Sequence, residues 1–473
     1  MRAVNGWLKL CFLVFVCGTA SAQTFKTLIS FDGADGENPD ATAIVQGPDG
    51  NLYSTAVFGG VRDAGTMFGF SPSGAMRFLS LSNHYKNPSG GLLLGSDGNF
   101  YGTTVSGGEN HDGQGNVFEV RPSGRLSMLY SFTDTNDGWF PRTPLIQASD
   151  GNFYGTTTLG GLSSIGGTVF RITADGVLTT LYEFCTLNNC QDGASSFAGL
   201  LQASDGNFYG TTNQGGDPTC TLNNGYGCGT IFRITPDGVL TTLHVFEGSD
   251  GDMPIGALIQ ATDGSFYGTT SAGGTVAGTV FKISLSGDFS TIYNFCSAPD
   301  CADGVQPVGG VIQATDGNLY GTTEDRGYGS GVLFRMTTSG VLTILHEFCV
   351  HQGCTDGAMP STVLLQATNG KFYGMTLMGG ANNKGTVYSL NVGLAPFVSL
   401  VTTLGDAGQS VGILGQGLRN TSGVSFNGVP ATFKVLSDTS LSATVPVGVS
   451  TGYVTVTTPS GVLTSNKPFM VAP

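Results

Sequence analysis

The residues best placed to do chemistry in this chain are acids. An Asp-Gly pair recurs at Asp35, Asp137, Asp192, Asp250, Asp303 and Asp356, and the corresponding position of one further unit is Asn87-Pro88. A set of carboxylates of this kind would collect a hard cation such as calcium, which takes about six to eight oxygen ligands, or would hydrogen-bond sugar hydroxyls. Asp32, Glu37, Asp134 and Asp252 add charge nearby, so calcium, the one cofactor the sequence allows for, is expected near Asp32, Asp35, Asp250 and Asp252. Trp139, beside Asp137 and followed by Phe140, would offer an aromatic platform for a ligand. The plainer reading is a turn, because Asp and Gly are turn-forming residues.

Nucleophiles and bases are harder to find. The five histidines include no H-E-x-x-H pair. His244 and His346 stand where other units carry Tyr130, Tyr182 or Tyr293, which makes them repeat variants, and His84, His111 and His351 fall in variable loops. One G-x-S-x-G match, Gly448 to Gly452 around Ser450, lies between two strand-like runs, whereas a nucleophile elbow needs a strand before it and a helix after it. No catalytic residues are assigned.

Ten cysteines are present; Cys11 and Cys17 lie near the N-terminus, and the other eight fall into close pairs, Cys185/Cys190, Cys220/Cys228, Cys296/Cys301 and Cys349/Cys354. In an exported chain these read as disulfides. Zinc thiolate sites usually use C-x2-C spacing, which none of the pairs has.

The elements that position these residues come from a repeat. A five-residue phrase recurs at 49–53 (DGNLY), 97–101, 150–154 and 205–209 (DGNFY), 263–267 (DGSFY), 316–320 (DGNLY) and 369–373 (NGKFY). In the third unit, 144–148, 152–157, 168–173 and 177–184 read as four strands, joined by turns at 149–151 and 174–176 and by a variable Gly-rich loop. Four short antiparallel strands per repeat of roughly 50 residues is the pattern of a β-propeller blade.

The seventh unit supplies strands at 362–367, 371–376 and 386–390 and then runs into Pro396 without a fourth. At the other end of the chain, 25–31 (FKTLISF) matches a fourth strand and is followed by Asp32-Gly33. The expected fold is therefore all-β: a seven-bladed β-propeller closed by its N-terminal strand, which removes the exposed sheet edges of an open array. Antiparallel geometry puts the variable loops, the cysteine pairs and the Asp-Gly turns on one face.

The phrases DGNFYGTT, GG…GTVFRI and G-VLTTLYEF resemble the tandem repeat of the choice-of-anchor GloVer-containing bacterial proteins, named for Gloeobacter and Verrucomicrobia, over residues 24–392. The resemblance implies an exported, surface-associated protein and carries no known reaction. Members often end in an anchoring segment; this chain ends FMVAP, without an apolar helix and basic tail.

Residues 394–473 are rich in Val, Thr, Ser and Gly, with strand-like runs at 410–415, 423–426, 431–436, 440–445 and 452–458. They suit a small immunoglobulin-like β-sandwich. The phrases GQGL at 415–418, VSFNG at 424–428, SDTSLSATVP at 437–446 and GYVTV at 452–456 resemble IPT/TIG domains, which implies a spacing, docking or binding role.

The N-terminus reads as an export signal: Arg2 and Lys9, an apolar run at 10–16 too short to span a bilayer, and Ala20-Ser21-Ala22 as the cleavage site. The expected organisation is a signal peptide at 1–22, cleaved near Ala22, a propeller at 23–393 and a sandwich at 394–473, in a secreted, cell-surface or periplasmic protein. Charged residues are only 11 % of the chain and Gly numbers 75, which suits tight turns rather than helices; a net charge of −14 disfavours nucleic acid and anionic membrane surfaces, and no membrane insertion is expected. The function these features favour is non-catalytic binding of an extracellular glycan or protein through the loop face. The alternatives are a carbohydrate-active propeller enzyme using two loop carboxylates and a structural envelope or matrix component.

Overall fold

The repeated DGNFY phrase builds a side-chain-locked hairpin. In the third unit the Asp150 carboxylate accepts the Asn152 backbone N–H at 3.0 Å, the Asn152 side-chain amide at 2.8 Å and the Tyr154 hydroxyl at 2.8 Å. One acid thus satisfies the turn and fixes the tyrosine ring. The arrangement recurs at Asp49, Asp97, Asp205 and Asp316. At the seventh unit Asn369 replaces the acid and donates to the Tyr373 hydroxyl instead.

In six of the seven units the strand that follows carries a Gly directly after the Tyr of the phrase, the first unit having Ser54 instead, and space explains the Gly. A Cβ on Gly155 would lie 2.7 Å from the Phe170 ring of the neighbouring strand and 2.9 Å from Leu145. The Gly therefore admits the Phe of the TVFRI strand into the core.

The computed structural model describes residues 23–39, 43–109, 113–133, 136–220, 225–326 and 330–471. The expected signal peptide at 1–22, Asp134 and His111 lie outside them. Among the described residues there is no α-helix, and no helix is long and apolar enough to cross a membrane.

The repeats form propeller-like four-stranded antiparallel sheets. In the third, the strands Ile146–Gln147, Phe153–Thr156, Thr168–Ile172 and Leu178–Glu183 pair in sequence order. Six sheets take all four strands from one unit; the seventh is mixed. There Thr24–Ser30 pairs antiparallel with Thr386–Asn391, which is flanked in turn by Phe372–Thr376 and Leu365–Gln366. The N-terminal strand thus fills the fourth place that the last unit leaves empty. Ile29 and Phe31 are buried in one cluster with Phe68, Tyr373 and Val387.

Successive sheets pack through the Phe-Tyr dipeptide. Tyr53 meets Phe100, Tyr101 meets Phe153, Tyr154 meets Phe208, Tyr209 meets Phe266 and Tyr320 meets Phe372, all with ring centroids 4.1 to 4.5 Å apart. The series returns to its start, since Tyr373 shares a cluster with Leu52.

A glutamine on the first strand reinforces this packing. Gln147 accepts the backbone N–H of Ser96 in the preceding unit, Gln202 that of Ser149, Gln260 that of Ser204, Gln313 that of Thr262, Gln366 that of Thr315 and Gln46 that of Thr368. The belt breaks at one place. The second unit has Leu94 at the glutamine position, and the residue it would reach, Pro48, has no N–H to give.

The C-terminal portion sits at that break. Its two four-stranded sheets contain Ser410–Leu414 and Ser440–Thr444 in one and Gly423–Phe426 and Val454–Thr458 in the other, around a shared core that includes Val411, Ile413, Phe426, Leu441 and Val456. Thr439 and Ser437 hydroxyls donate to the Pro48 carbonyl at 2.7 and 3.3 Å, Gln416 donates to the Thr368 hydroxyl at 3.0 Å, and Leu414 packs in one cluster with Leu92 and Leu94. The strand Gly461–Thr464 was not among the expected runs, and the pairing of Leu404–Gly405 with Met470–Val471 is parallel.

Candidate functional site

The antiparallel alternation of strands gives the repeats two unlike ends. The short DG turns lie at one end, where the C-terminal portion docks. The loops between second and third strands, and those entering the next unit, lie at the other.

The Asp-Gly residues expected to bind a ligand sit at this loop end, each tied to its own loop. Asp137 accepts the Tyr130 hydroxyl at 2.9 Å and both the backbone N–H and the hydroxyl of Thr133 at 3.0 Å. Asp192 takes the Tyr182 hydroxyl and Thr186 in the same way, and Asp303 takes Tyr293 and Ser297. Where a histidine replaces the tyrosine, its ring does the same work: His244 Nε2 lies 2.8 Å from Asp250 and His346 Nε2 lies 3.0 Å from Asp356. This explains the Tyr-or-His alternation on the fourth strand, which sequence alone shows only as a variant. The position needs a flat ring with a donor at its far end, aimed at the Asp. Burial and the Asp137 carboxylate push the Tyr130 hydroxyl up to about 12, so it stays a donor. Burial raises the Asp250 and Asp356 carboxyls, but the histidine bonds and backbone N–H groups outweigh it and leave both below the usual carboxylate range. The Gly of the pair is required too: a Cβ on Gly138, whose φ is +85°, would fall 2.1 Å from the Thr157 hydroxyl.

The carboxylates considered for calcium are placed differently from one another. Asp35 accepts the Asp32 backbone N–H at 2.9 Å, while Asp32 accepts the Ala34 and Asp35 N–H groups at 2.8 and 3.1 Å. Asp250 faces His244. Asp252 is 2 % exposed, its Oδ1 meets no donor among the described residues, and burial pushes its carboxyl up to about 6. Among the described residues no three of His, Cys, Asp and Glu gather in one place. Trp139 stacks on Phe140 with centroids 5.8 Å apart, and its indole N–H is buried without a partner among the described residues. All four expected cysteine pairs are joined, Cys185–Cys190, Cys220–Cys228, Cys296–Cys301 and Cys349–Cys354, each pinning a loop at this end. Disulfides persist outside the reducing cytosol, which points to an extracellular protein.

The model of the Gloeobacter/Verrucomicrobia repeat matches residues 46–225 and again 218–432. The chain belongs to the Gloeobacter/Verrucomicrobia repeat family. No curated protein matches it in sequence. Among solved structures, a fungal alcohol oxidase of the AA5 family in complex with copper is similar at 12 % identity and a TM-score of 0.52, over 95 % of this chain and 99 % of that one. The extracellular domain of a putative hybrid two-component system from Bacteroides thetaiotaomicron is similar at 10 % identity and a TM-score of 0.49, over 96 % of this chain and 60 % of that one. A putative 6-phosphogluconolactonase from Bacteroides fragilis is similar at 18 % identity and a TM-score of 0.44, over 71 % of this chain and 93 % of that one. At 12 % identity the likeness to the alcohol oxidase is one of fold alone.

The loop end of this Gloeobacter/Verrucomicrobia repeat protein also exposes apolar side chains. Val61, Leu162, Leu187, Tyr226, Val276 and Val350 are 55 to 88 % exposed. Val61 and Leu162 both follow a Gly-Gly pair, and the other four occupy different positions in loops of different length. By contrast, Val177, Val239 and Val341 at the turn end repeat one position of one turn. A varied apolar surface on pinned loops is what a recognition face needs.

Proposed function

We propose that the chain is an exported, non-catalytic binding protein that engages an extracellular glycan or protein through its loop face. In this reading residues 23–393 form a seven-bladed β-propeller and residues 394–473 an IPT/TIG-like sandwich, with 1–22 removed as a signal peptide. One observation carries the proposal: the C-terminal portion docks at the turn end, by way of Pro48 and Thr368, and leaves the loop end uncovered. Asp35, Asp137, Asp192, Asp250, Asp303 and Asp356 serve this face by holding its loops in shape, and Trp139 is its aromatic element. The acids being engaged with tyrosine, histidine and backbone donors argues for binding over carbohydrate hydrolysis, which needs two carboxylates facing one glycosidic bond.

Glycan and protein arrays, probed with and without calcium, test the proposal. A ligand should be found whose binding is lost in Leu162→Asp/Val276→Asp on the loop face and kept in Val177→Asp/Val239→Asp on the turn face. Equal binding by the two variants would place the site elsewhere. Turnover on a polysaccharide panel would favour the enzyme instead.

A further inference from the structure

A second concave feature lies at the opposite end of the molecule. The first strands of four consecutive repeats, at Leu201–Gln202, Ile259–Gln260, Val311–Gln313 and Leu365–Gln366, meet the C-terminal portion around a pocket of about 390 Å³. Pockets of roughly 300–1,000 Å³ are the usual size for small-molecule sites. Thr403, Thr451 and the segment from Asn466 to Pro468, with Met470, form the side contributed by the C-terminal portion.

The walls are more apolar than their residue names suggest. Gln202, Gln260, Gln313 and Gln366 line the pocket, but each spends its carbonyl on the belt described above. Their amide N–H groups are also engaged, with the Gly206, Gly264 and Gly317 carbonyls and the Thr315 hydroxyl. What remains for a ligand is largely the aliphatic surface of Ile259, Ile312, Leu365 and Met470.

One charge stands among these groups. Lys467 lines the pocket, no Asp or Glu does, and Lys467 Nζ has no hydrogen bond or ion pair among the described residues. This is unusual in a chain with 33 acidic residues against 19 Lys and Arg. Lys467 lines the pocket while remaining exposed to solvent, so its ammonium is reachable by a ligand that enters. A cation beside apolar walls, with no acid among the lining residues, offers an entering anion a charge-assisted hydrogen bond.

We propose that this pocket binds a small organic anion, a carboxylate carried on an apolar body, with its charge on Lys467 Nζ. A single cation matches a single negative charge, and the aliphatic walls match a hydrocarbon tail better than a bare or multiply charged phosphate. The site is built from both the repeats and the C-terminal portion, so occupancy would strengthen their docking. It stands independently of the loop-face proposal, at the other end of the molecule.

Titration calorimetry on the full chain, with straight-chain alkanoates of four to eight carbons, tests this. Octanoate should bind, affinity should rise with chain length, and Lys467→Met should weaken octanoate at least tenfold while Lys467→Arg largely preserves it. Octanol, with the same tail and no charge, should bind more weakly and equally to wild type and Lys467→Met. Inorganic phosphate should not compete. Thermal melts of the ligand-free variants control for folding; Lys467→Met should melt close to wild type, since Lys467 is exposed. Absence of octanoate binding to wild type, equal octanoate binding by Lys467→Met, or displacement by phosphate would each overturn the proposal.

Discussion

Gln46 and Thr368 are 322 residues apart in the chain and share two hydrogen bonds: the Thr368 backbone N–H donates to Gln46 Oε1 at 3.0 Å, and Gln46 Nε2 donates to the Thr368 hydroxyl at 2.9 Å. They join the first repeat to the last, where the N-terminal strand also completes a sheet. Deleting residues 23–32 should therefore lower stability well beyond the loss of one edge strand. Burial of Ile29 and Phe31 alone contributes about 1.5–3 kcal/mol each. Gln46→Ala should cost about 1–3 kcal/mol, because the fully buried Thr368 N–H loses its acceptor. Urea melts of both variants check this; an unchanged midpoint for the deletion would refute closure by the N-terminal strand.

The break in the glutamine belt gives a sharper test. Leu94→Gln should destabilise the protein by about 1–3 kcal/mol, since the new amide faces Pro48 without a donor and displaces apolar packing with Leu414. In a Pro48→Ser background the same change should cost less, because serine restores the N–H. A double-mutant cycle measures the coupling, and a coupling energy of zero would mean that Leu94 and Pro48 are unrelated.

Asp252 predicts a pH dependence opposite to that of most acids. Its folded pKa is raised to about 6, so the unfolded chain releases its proton first. Stability should fall as pH rises from about 4 to about 6 and stay reduced above that, by on the order of 2 kcal/mol. Asp252→Asn should match wild type below pH 4 and exceed it at pH 7. Melting temperatures across that range are the measurement.

Asp356 behaves the other way. Its carboxyl is held below the usual range, so its contribution is full above the ordinary carboxylate pKa and is lost as pH falls through the depressed folded value. His346→Tyr should preserve stability, because tyrosine plays this part at Tyr182 and Tyr293. His346→Phe should cost about 1–3 kcal/mol at neutral pH and much less in acid.

Most of the repeat architecture was legible because spacing carries it. The strand runs, the leftover N-terminal strand and all four cysteine pairs emerge from short-range pattern alone. First strands are shorter than expected, Ile146–Gln147 rather than 144–148, because the Ala148 N–H closes the hairpin turn onto the Asn152 carbonyl and Pro144 has no N–H. The roles of Tyr130 and His244 were not legible, since each is defined by an acid several residues downstream, and the alternation looks neutral until the turn is folded. The glutamine belt was hidden for a related reason: each glutamine answers to the preceding repeat, outside any local window. The pocket around Lys467 belongs to no motif, since it exists only where two separately patterned stretches meet.

Pro48 opens one short turn, yet its effect reaches beyond that turn. A ring of near-identical repeats offers near-identical berths, and a partner that recognised only the shared turn would seat at any of them in a mixture of rotational states. Replacing one N–H donor by an imino acid, with Leu94 opposite, makes one berth unlike the others. The ring thereby acquires an orientation, and the C-terminal portion a single address on it. Such an address also decides which four repeats share the pocket with Lys467.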